Sequence, residues 1–594
     1  MRALLTLTAL SVALPAAVAA QAVPVDPSDP ADPTAQAAPA QRLTALEKRY
    51  LDGLFRAKPH LADYMGDHRF AGMLSDLTPA GLRGRVSELK AQQRDLDAID
   101  RKALDADGQV DAAILQDGIG LELLELTEIR EWTWDPRLHD GFTYYDPREV
   151  VAARLSDIVH GSWGTPAMRL HAVRSQLLAL PRWLREREQS TAKVSKVHLE
   201  QAVKDNRGRI TFFETEVAAF TKGDASAERA RKRAVTALQT HQKFLEKTLP
   251  ARATRDWRLG PELFRKKYPL ALQTDLTPEQ TVKAAWEDFA RSRSELEEVS
   301  LRLFQQLFPN EPAPAGAKLI NLVKDAISAD HPKRGELVQA SAAKLTLLRE
   351  FLNQKVGALP PPETLSVEPM PEFKRGGGGA EYLSPGGLDR TAKFHGTYYV
   401  EPVDPAWSVG KAESYLRANN DYEIALTAAH EALPGHHTQA WWARRDPSAL
   451  RATLWSGPFA EGWAVYGEGL VVKNGFGAEK NDRYRFMDLR GHMIVASNAL
   501  LDAALQGGTM TDEEALRFMV EEGFQEKTQA ERKLLRAKLD STQLSQYFLG
   551  FTEIVRLEQE ARAAGPFDQR AFDEKLLSHG TIAVKHLRRF VLAP

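Results

Sequence analysis

The sequence predicts a mainly α-helical fold with one small β-element. Apolar residues recur at steps of three and four over long stretches, as one buried helix face requires. The ranges 114–130, 166–188, 278–308 and 334–356 are examples. Only the segment from about 359 to 400 changes character, because it is rich in Pro, Gly, Tyr and β-branched residues. With 594 residues, the chain can bury a large hydrophobic core.

The first 20 residues have the pattern of a secretory signal peptide. Arg2 supplies a positive start, the run from Leu4 to Ala17 is apolar, and small residues follow up to Ala20 as a cleavage site. The apolar run is short for a membrane span, so an anchor is the less favoured alternative. We expect secretion across the inner membrane into the periplasm, without stable membrane insertion after the leader is removed.

Composition excludes several classes of site. Residues 21–41 are rich in Ala, Pro and Asp and are predicted to form a disordered spacer. The net charge of −2 gives no basic footprint for nucleic acid. The absence of cysteine excludes disulfides, thiolate zinc sites, a cysteine nucleophile and a lipid-anchored cysteine after the leader. Any metal must therefore be held by His, Asp or Glu.

The folded part is expected to begin at about residue 42, where a helical apolar pattern starts. The range 59–78 is turn-rich, and we interpret its Tyr64 as a loop residue that packs on a helical core. Further along, the segments Ala380–Leu383 and 397–400 are predicted to be extended. The four glycines at 376–379 just before them are interpreted as a mobile loop at the edge of a cleft.

A histidine-rich stretch at 430–437 carries the strongest chemical signal. It reads His-Glu-Ala-Leu-Pro-Gly-His-His, with three histidines within eight residues. Two histidines on one helix with a Glu beside the first commonly supply two zinc ligands and a general base. The usual spacing of four residues is not met, because Pro434 stands at that position. Proline loosens a helix, so the two ligands must meet across a distortion.

The second ligand can be either His436 or His437. On an ideal helix His437 would lie about 340° around the axis from His430, the correct face, but about 10.5 Å along it. A bulge that absorbs the two extra residues would instead bring His436 onto the face of His430. We favour His436 and keep His437 as the alternative.

A second stretch, residues 457–468, supplies the other acidic groups. Glu461 follows His436 by 25 positions on a predicted amphipathic helix and is the expected third ligand. Glu468 lies seven residues further on and is expected to orient a ligand histidine from behind. Glu431 would act as the general base. Two histidines and one carboxylate suit a single Zn²⁺ ion best, although manganese or cobalt could bind.

These two stretches resemble a known bacterial family. Residues 430–437 resemble the HExxPGH box of the domain of unknown function 885 family, and residues 461–468 resemble its EGWAxYxE box. That family is in turn similar to helical gluzincin peptidases. The resemblance implies a large two-lobed helical metallopeptidase-like fold with a central cleft, in which residues 42–357 and 358–594 form the lobes. It also implies that His430, His436 and Glu461 hold zinc and that Glu431 is the base.

The resemblance further implies a residue that stabilises the oxyanion of the reaction. Tyr547 is the first candidate, because similar peptidases draw this group from a C-terminal helix. His492, Tyr398 and Tyr399 are the alternatives.

Together these observations predict an exported zinc metallopeptidase that acts on peptide substrates and not on nucleic acid. Two other classes stay open. One is a non-catalytic binding or scaffold protein whose metal site is structural or vestigial, closed by a fourth protein ligand. The other is a zinc hydrolase for a different amide, such as a cell-wall peptide stem. The sequence leaves the cleavage specificity and the oligomeric state open.

Overall fold

The computed structural model describes residues 38–140, 148–355, 359–371, 375, 379–390 and 393–592. The predicted signal peptide, most of the predicted spacer and the glycines at 376–378 lie outside the described residues. The first helix begins at Pro39, inside the end of the spacer predicted for 21–41. Proline is tolerated in the first turn of a helix, so the Ala/Pro-rich composition does not prevent this start.

The first part of the chain is almost entirely helical. Its only strands among the described residues are a two-residue antiparallel pair, β1 (His139–Asp140) and β2 (Arg148–Glu149). The predicted turn-rich range 59–78 is partly wrong, because it opens with a helix whose first residue is a proline. The helices are α1 (Pro39–Ala57), α2 (Pro59–Met65), α3 (Pro79–Asp97), α4 (Ala106–Leu124), α5 (Ala152–His160), α6 (Pro166–Ser190), α7 (Lys196–Thr221), α8 (Ala225–Lys243), α9 (Pro261–Ala271), α10 (Pro278–Leu307), α11 (Gly316–Ile327) and α12 (Leu337–Lys355).

The small β-element follows, and it confirms the prediction of a local sheet. It consists of β3 (Leu365–Pro369), β4 (Ala380–Leu383) and β5 (Gly396–Val400), in the order β3-β5-β4. Strand β3 runs parallel to β5, and β4 runs antiparallel to it, so β4 is an edge strand. Along β5 the burial alternates, with Tyr398 inside and Tyr399 outside, as a strand with one covered face requires.

The last part of the chain is again helical. No described helix in the chain has an apolar stretch long enough to cross a membrane. The helices are α13 (Val409–Ala418), α14 (Asp421–Glu431), α15 (His436–Ala443), α16 (Ala449–Thr453), α17 (Gly457–Lys473), α18 (Asn481–Gln506), α19 (Asp512–Arg517), α20 (Lys527–Leu539), α21 (Ser545–Ala564), α22 (Gln569–Leu577) and α23 (Val584–Val591).

Two large hydrophobic cores stabilise the molecule, and both combine residues from before and after position 357. One joins α10–α12 to the sheet, α14 and α18, and the other joins α1–α4 to α21–α23. Helix α17 contributes to both, with Val465 in the first core and Trp463 in the second. The predicted lobes, 42–357 and 358–594, therefore share both cores.

Helix α17 is held against α21 by a very close crossing. A Cβ atom added at Gly462 would lie 2.2 Å from the carbonyl carbon of Gly550, and one added at Gly550 would lie 1.6 Å from the Pro458 oxygen. Only glycine permits such backbone contact. The crossing fixes the position of the residue next to Gly462, which is Glu461.

Candidate metal centre

The histidine-rich stretch folds as two helices joined by a tight turn. Helix α14 ends at Glu431, and α15 begins at His436. Between them the Leu433–Pro434 peptide is cis, and the Gly435 N–H donates to the Ala429 oxygen at 2.9 Å. A Cβ atom at Gly435 would lie 1.8 Å from the His430 oxygen, so no larger residue fits there. The turn absorbs the extra residues and turns His436 back toward His430.

Three side chains converge at this turn. One ligand atom from each of His430, His436 and Glu461 can be chosen so that all lie within 4.8 Å of one another. Glu461 Oε2 lies 3.4 Å from His430 Nε2 and 3.6 Å from His436 Nε2. Glu461 is only 1% exposed, yet neither of its carboxylate oxygens has a hydrogen-bond partner among the residues that the structure describes.

This arrangement fits a zinc ion. Burying a carboxylate without hydrogen bonds is costly unless a cation compensates it. Zinc binds His nitrogen and carboxylate oxygen at about 2.0–2.2 Å, so ligand atoms around one tetrahedral ion stand roughly 3.3 Å apart. The distances from Glu461 to the two histidines are close to that separation.

Glu468 lies behind His430 on the same helix as Glu461. Its Oε1 accepts a hydrogen bond from His430 Nδ1 at 2.7 Å, which leaves Nε2 facing Glu461. Burial alone would lower the pKa of His430, but Glu461 and Glu468 raise it well above the usual value. Burial would raise the pKa of Glu461, yet the two histidines hold it well below its usual range. The site is therefore a charged, compact cluster.

His437 is turned away from this cluster. Its Nε2 lies 3.0 Å from the Thr364 hydroxyl and its Nδ1 lies 3.0 Å from the Tyr382 hydroxyl. The ring is fully buried and stacks on Phe394 at 5.4 Å. Burial lowers its pKa to about 3, so the imidazole is neutral and both nitrogens are occupied. His437 ties α15 to the edge strand β4.

A cavity of about 570 Å³ opens onto the three converging side chains. Glu431 and Tyr547 line it together with His430, His436 and Glu461. Burial raises the pKa of the Glu431 carboxyl, although the two histidines act in the opposite direction. The Tyr547 ring lies 6.5 Å from the His430 ring, centroid to centroid, and is roughly parallel to it.

The alternatives to Tyr547 lie elsewhere. Tyr398 is 1% exposed in the hydrophobic core, and Tyr399 is on the opposite face of β5. His492 packs on Phe551 at 4.7 Å, with Nε2 3.5 Å from Asp488. None of the three alternatives lines the cavity.

Sequence reasoning missed several cavity-lining side chains. Tyr64, predicted to pack in a loop, comes from α2 and faces the cavity, as do Glu381, Tyr382 and Arg536. For Glu381 and Tyr382 the only sequence signal was their place in a predicted strand directly after the glycine run, which was interpreted as a loop at the edge of a cleft. Nothing in the local pattern of α20 distinguishes Arg536 from its other basic residues.

Comparisons with known proteins give the fold and a family. The family model described as "Bacterial protein of unknown function (DUF885)" matches residues 59–591. A solved structure from Shewanella oneidensis is 28% identical, with a TM-score of 0.80 over 94% of this chain and 100% of that one. A crystal structure from Colwellia psychrerythraea is 17% identical, with a TM-score of 0.73 over 93% and 98%. Both carry the description "putative lipoprotein". No curated protein matches the chain.

Proposed function

The chain belongs to the family of bacterial proteins of unknown function (DUF885), and we propose from its candidate metal centre that it is a zinc-dependent metallopeptidase. Membership of this family does not by itself indicate an activity. The observation that carries this proposal is the convergence of His430, His436 and Glu461 on one point at the wall of a cavity. The resemblance of that family to helical gluzincin peptidases supports it, although the stretch 430–437 has two more residues between its histidines than the gluzincin pattern.

The number of ligands favours catalysis over a purely structural role. Structural zinc sites are closed by four protein ligands, whereas catalytic sites use three and keep one position open. Among the described residues, the cluster contains three ligands. The candidate for a fourth, His437, has both nitrogens in contact with hydroxyl groups instead. This argues against the scaffold alternative.

The residues of the chain have separable roles in the proposed reaction. A zinc ion, when bound, supplies Lewis-acid polarisation of the scissile carbonyl and a lowered pKa for bound water. Glu431 accepts the proton of the attacking water and delivers it to the leaving amine. Its raised pKa suits both steps. The Tyr547 hydroxyl donates a hydrogen bond to the oxygen that gains negative charge.

Glu468 acts through His430 and not on the substrate. By accepting from Nδ1 it keeps the ring in the tautomer whose Nε2 can bind a metal. We also propose that the cavity is the central cleft of a two-lobed peptidase, and that the protein is exported to the periplasm. The signal-peptide pattern and the lipoprotein descriptions of the two structural neighbours support export.

The test is hydrolysis of a mixed peptide pool by purified protein, read by mass spectrometry. We expect cleavage that a chelator abolishes and added zinc restores, and that is lost in Glu431→Gln while zinc content is unchanged. Glu479→Gln, an exposed glutamate, is the matched control and should remain active. Bound zinc without cleavage of any peptide would overturn the peptidase proposal and favour the scaffold or another amide substrate.

A further inference from the structure

A second cavity lies in the first helical part of the chain, apart from the candidate metal centre. Its volume is about 290 Å³. Pockets that hold small molecules measure about 300–1,000 Å³, so it is of the size for a small ligand. Its walls come from α1, α3, α4, α6 and β1. Among the described residues, none lines both this cavity and the one at the metal centre, so the second cavity is separate from the proposed peptidase site.

Arg187, on α6, is a buried cation in the wall of this second cavity. It is 3% exposed. Its Nη1 and Nη2 donate to the carbonyl oxygens of Trp132 and Asp135, at 2.7 and 2.9 Å. Its Nε has no hydrogen-bond partner, and the guanidinium forms no ion pair with a carboxylate, within the described residues. Burial lowers the pKa of Arg187, as expected for a guanidinium whose charge no close anion neutralises.

The carboxylates closest to Arg187 are mostly bound to other cations. Three carboxylates act on its charge, and two of them have closer partners. Asp135 accepts from Arg137 Nη2 at 2.7 Å. Asp140 accepts from Lys58 Nζ at 2.6 Å. The charge of Arg187 is therefore not balanced by either of these two acids.

Glu131 is the third of these carboxylates, and it lines the second cavity. Its side chain makes no hydrogen bond or ion pair with a residue that the structure describes. Burial and the nearby charge of Glu125 raise its pKa to about 8, the direction expected for a carboxyl group without a cation beside it. Since Arg187 contacts the carbonyl of Trp132, the next residue, the cavity brings together a cationic and an anionic group that both lack a direct partner there.

Much of the remaining wall of the second cavity is apolar. Its apolar side chains are Leu77, Leu82, Leu126, Trp132, Val150 and Trp183. Another charged pair in the wall, Arg85 with Glu122, is closed on itself at 2.7 Å. The cavity therefore offers apolar surface together with one positive and one negative group.

We propose that the second cavity binds a free α-amino acid with an apolar side chain, whose carboxylate pairs with Arg187 and whose ammonium group donates to Glu131. An α-amino acid carries both charges on one carbon atom, so it matches neighbouring groups of opposite sign and adds no net charge to a buried site. A ligand with a single charge leaves one of the two groups unpaired. A dipeptide separates its charges by about a further 3.3–3.6 Å and so fits neighbouring groups less well.

The test is calorimetric titration of the purified protein with L-leucine and L-phenylalanine. We expect saturable binding of both. Leucine amide lacks the carboxylate and 4-methylpentanoate lacks the ammonium group, so each should bind at least about 10-fold more weakly than leucine. The affinity for leucine should be the same before and after a chelator removes metal, because the two cavities share no described lining residue.

Glu131→Gln removes the negative charge and keeps the shape of the side chain. It should bind leucine at least about 10-fold more weakly than wild type and lose the preference for leucine over 4-methylpentanoate. A general disturbance of the fold would weaken both ligands alike and leave the preference. Glu128→Gln is the matched control, because this nearby carboxylate is 44% exposed, pairs with Lys266 and does not line the cavity. It should bind leucine as wild type does.

Several results would overturn this inference. The first is no binding of leucine or phenylalanine, and the second is full affinity for leucine in Glu131→Gln. Equal or tighter binding of leucine amide would assign the cavity to a cation alone, and the same result with 4-methylpentanoate would assign it to an anion alone. Loss of leucine binding together with the metal would place the ligand at the metal centre. None of these measurements uses peptide hydrolysis, so this inference and the proposed function are tested separately.

Discussion

Glu468 Oε1 lies 2.7 Å from His430 Nδ1, and this contact determines which nitrogen of the histidine faces Glu461. Glu461 and Glu468 both lie on α17, seven residues apart. One helix therefore contacts the His430 ring at both nitrogens, Glu468 at Nδ1 and Glu461 at Nε2. The geometry of the centre therefore depends on a residue that does not belong to the ligand cluster.

Glu468→Gln should weaken zinc binding by about 10- to 100-fold, because an amide fixes the tautomer and raises the basicity of the histidine less well than a carboxylate does. Competition with a fluorescent zinc chelator measures the change. Glu479→Gln is the control for a neutralised surface glutamate. An unchanged zinc affinity in Glu468→Gln would contradict the positioning role.

His436→Ala and His437→Ala should have different consequences, although the residues are adjacent. His436→Ala should abolish stoichiometric zinc binding, as measured by elemental analysis, because it removes one of three ligands. His437→Ala should keep the zinc and lower the thermal unfolding midpoint, because it empties a buried position between Thr364, Tyr382 and Phe394. Loss of zinc in His437→Ala alone would reverse the assignment.

Tyr547→Phe should lower kcat by about 100- to 1,000-fold with little change in KM, as expected for losing one donor to the oxyanion. Zinc content should be unaffected. Tyr399→Phe is the matched control, since that ring lies on the outer face of β5, and it should behave as wild type. Steady-state kinetics on any peptide that the wild type cleaves will distinguish the two.

Asp573 should make the protein less stable as pH rises. The residue is 3% exposed, and within the described part of the chain its Oδ2 has no hydrogen-bond partner. Burial raises its pKa to about 8, with Glu558 contributing. The folded state therefore holds a proton that the unfolded state releases above about pH 4, so the stabilisation is complete below that value and is lost up to about pH 8.

We expect the stability of wild type to fall relative to Asp573→Asn between pH 5 and pH 8, by up to about 1.4 kcal/mol per pH unit. Chemical denaturation at several pH values measures the difference. The comparison isolates this residue, because the other buried acids are common to both proteins. Parallel pH profiles would mean that Asp573 ionises normally in the folded protein.

The sequence was sufficient to predict the mainly helical fold and the two strands β4 and β5 of the small sheet. Periodicity carries that information, because one buried face imposes the spacing of three and four. It was not sufficient to choose between His436 and His437, since the choice depends on the four-residue turn at 432–435. Backbone geometry at Gly435, and not any helical repeat, determines which ring returns to His430.

The position of Arg536 at the cavity could not be predicted for a different reason. Helix α20 contains several basic residues, and their spacing resembles that of an ordinary solvated face. Only the packing of α20 in the folded chain distinguishes Arg536 from the other basic residues of this helix. The role of Tyr382 is likewise visible only once β4 lies beside α15.

Helix α17 belongs to both large cores and also carries Glu461. The geometry of the candidate metal centre is therefore expected to depend on the packing of both cores. A displacement of one core relative to the other would shift α17 at its close contact with α21, between Gly462 and Gly550. Such a shift would move the neighbouring Glu461 by a comparable amount. Metal affinity is therefore expected to respond to repacking far from the cleft. Homologues that adapt to cold or heat by changing their cores would have to preserve this crossing to keep the same metal affinity.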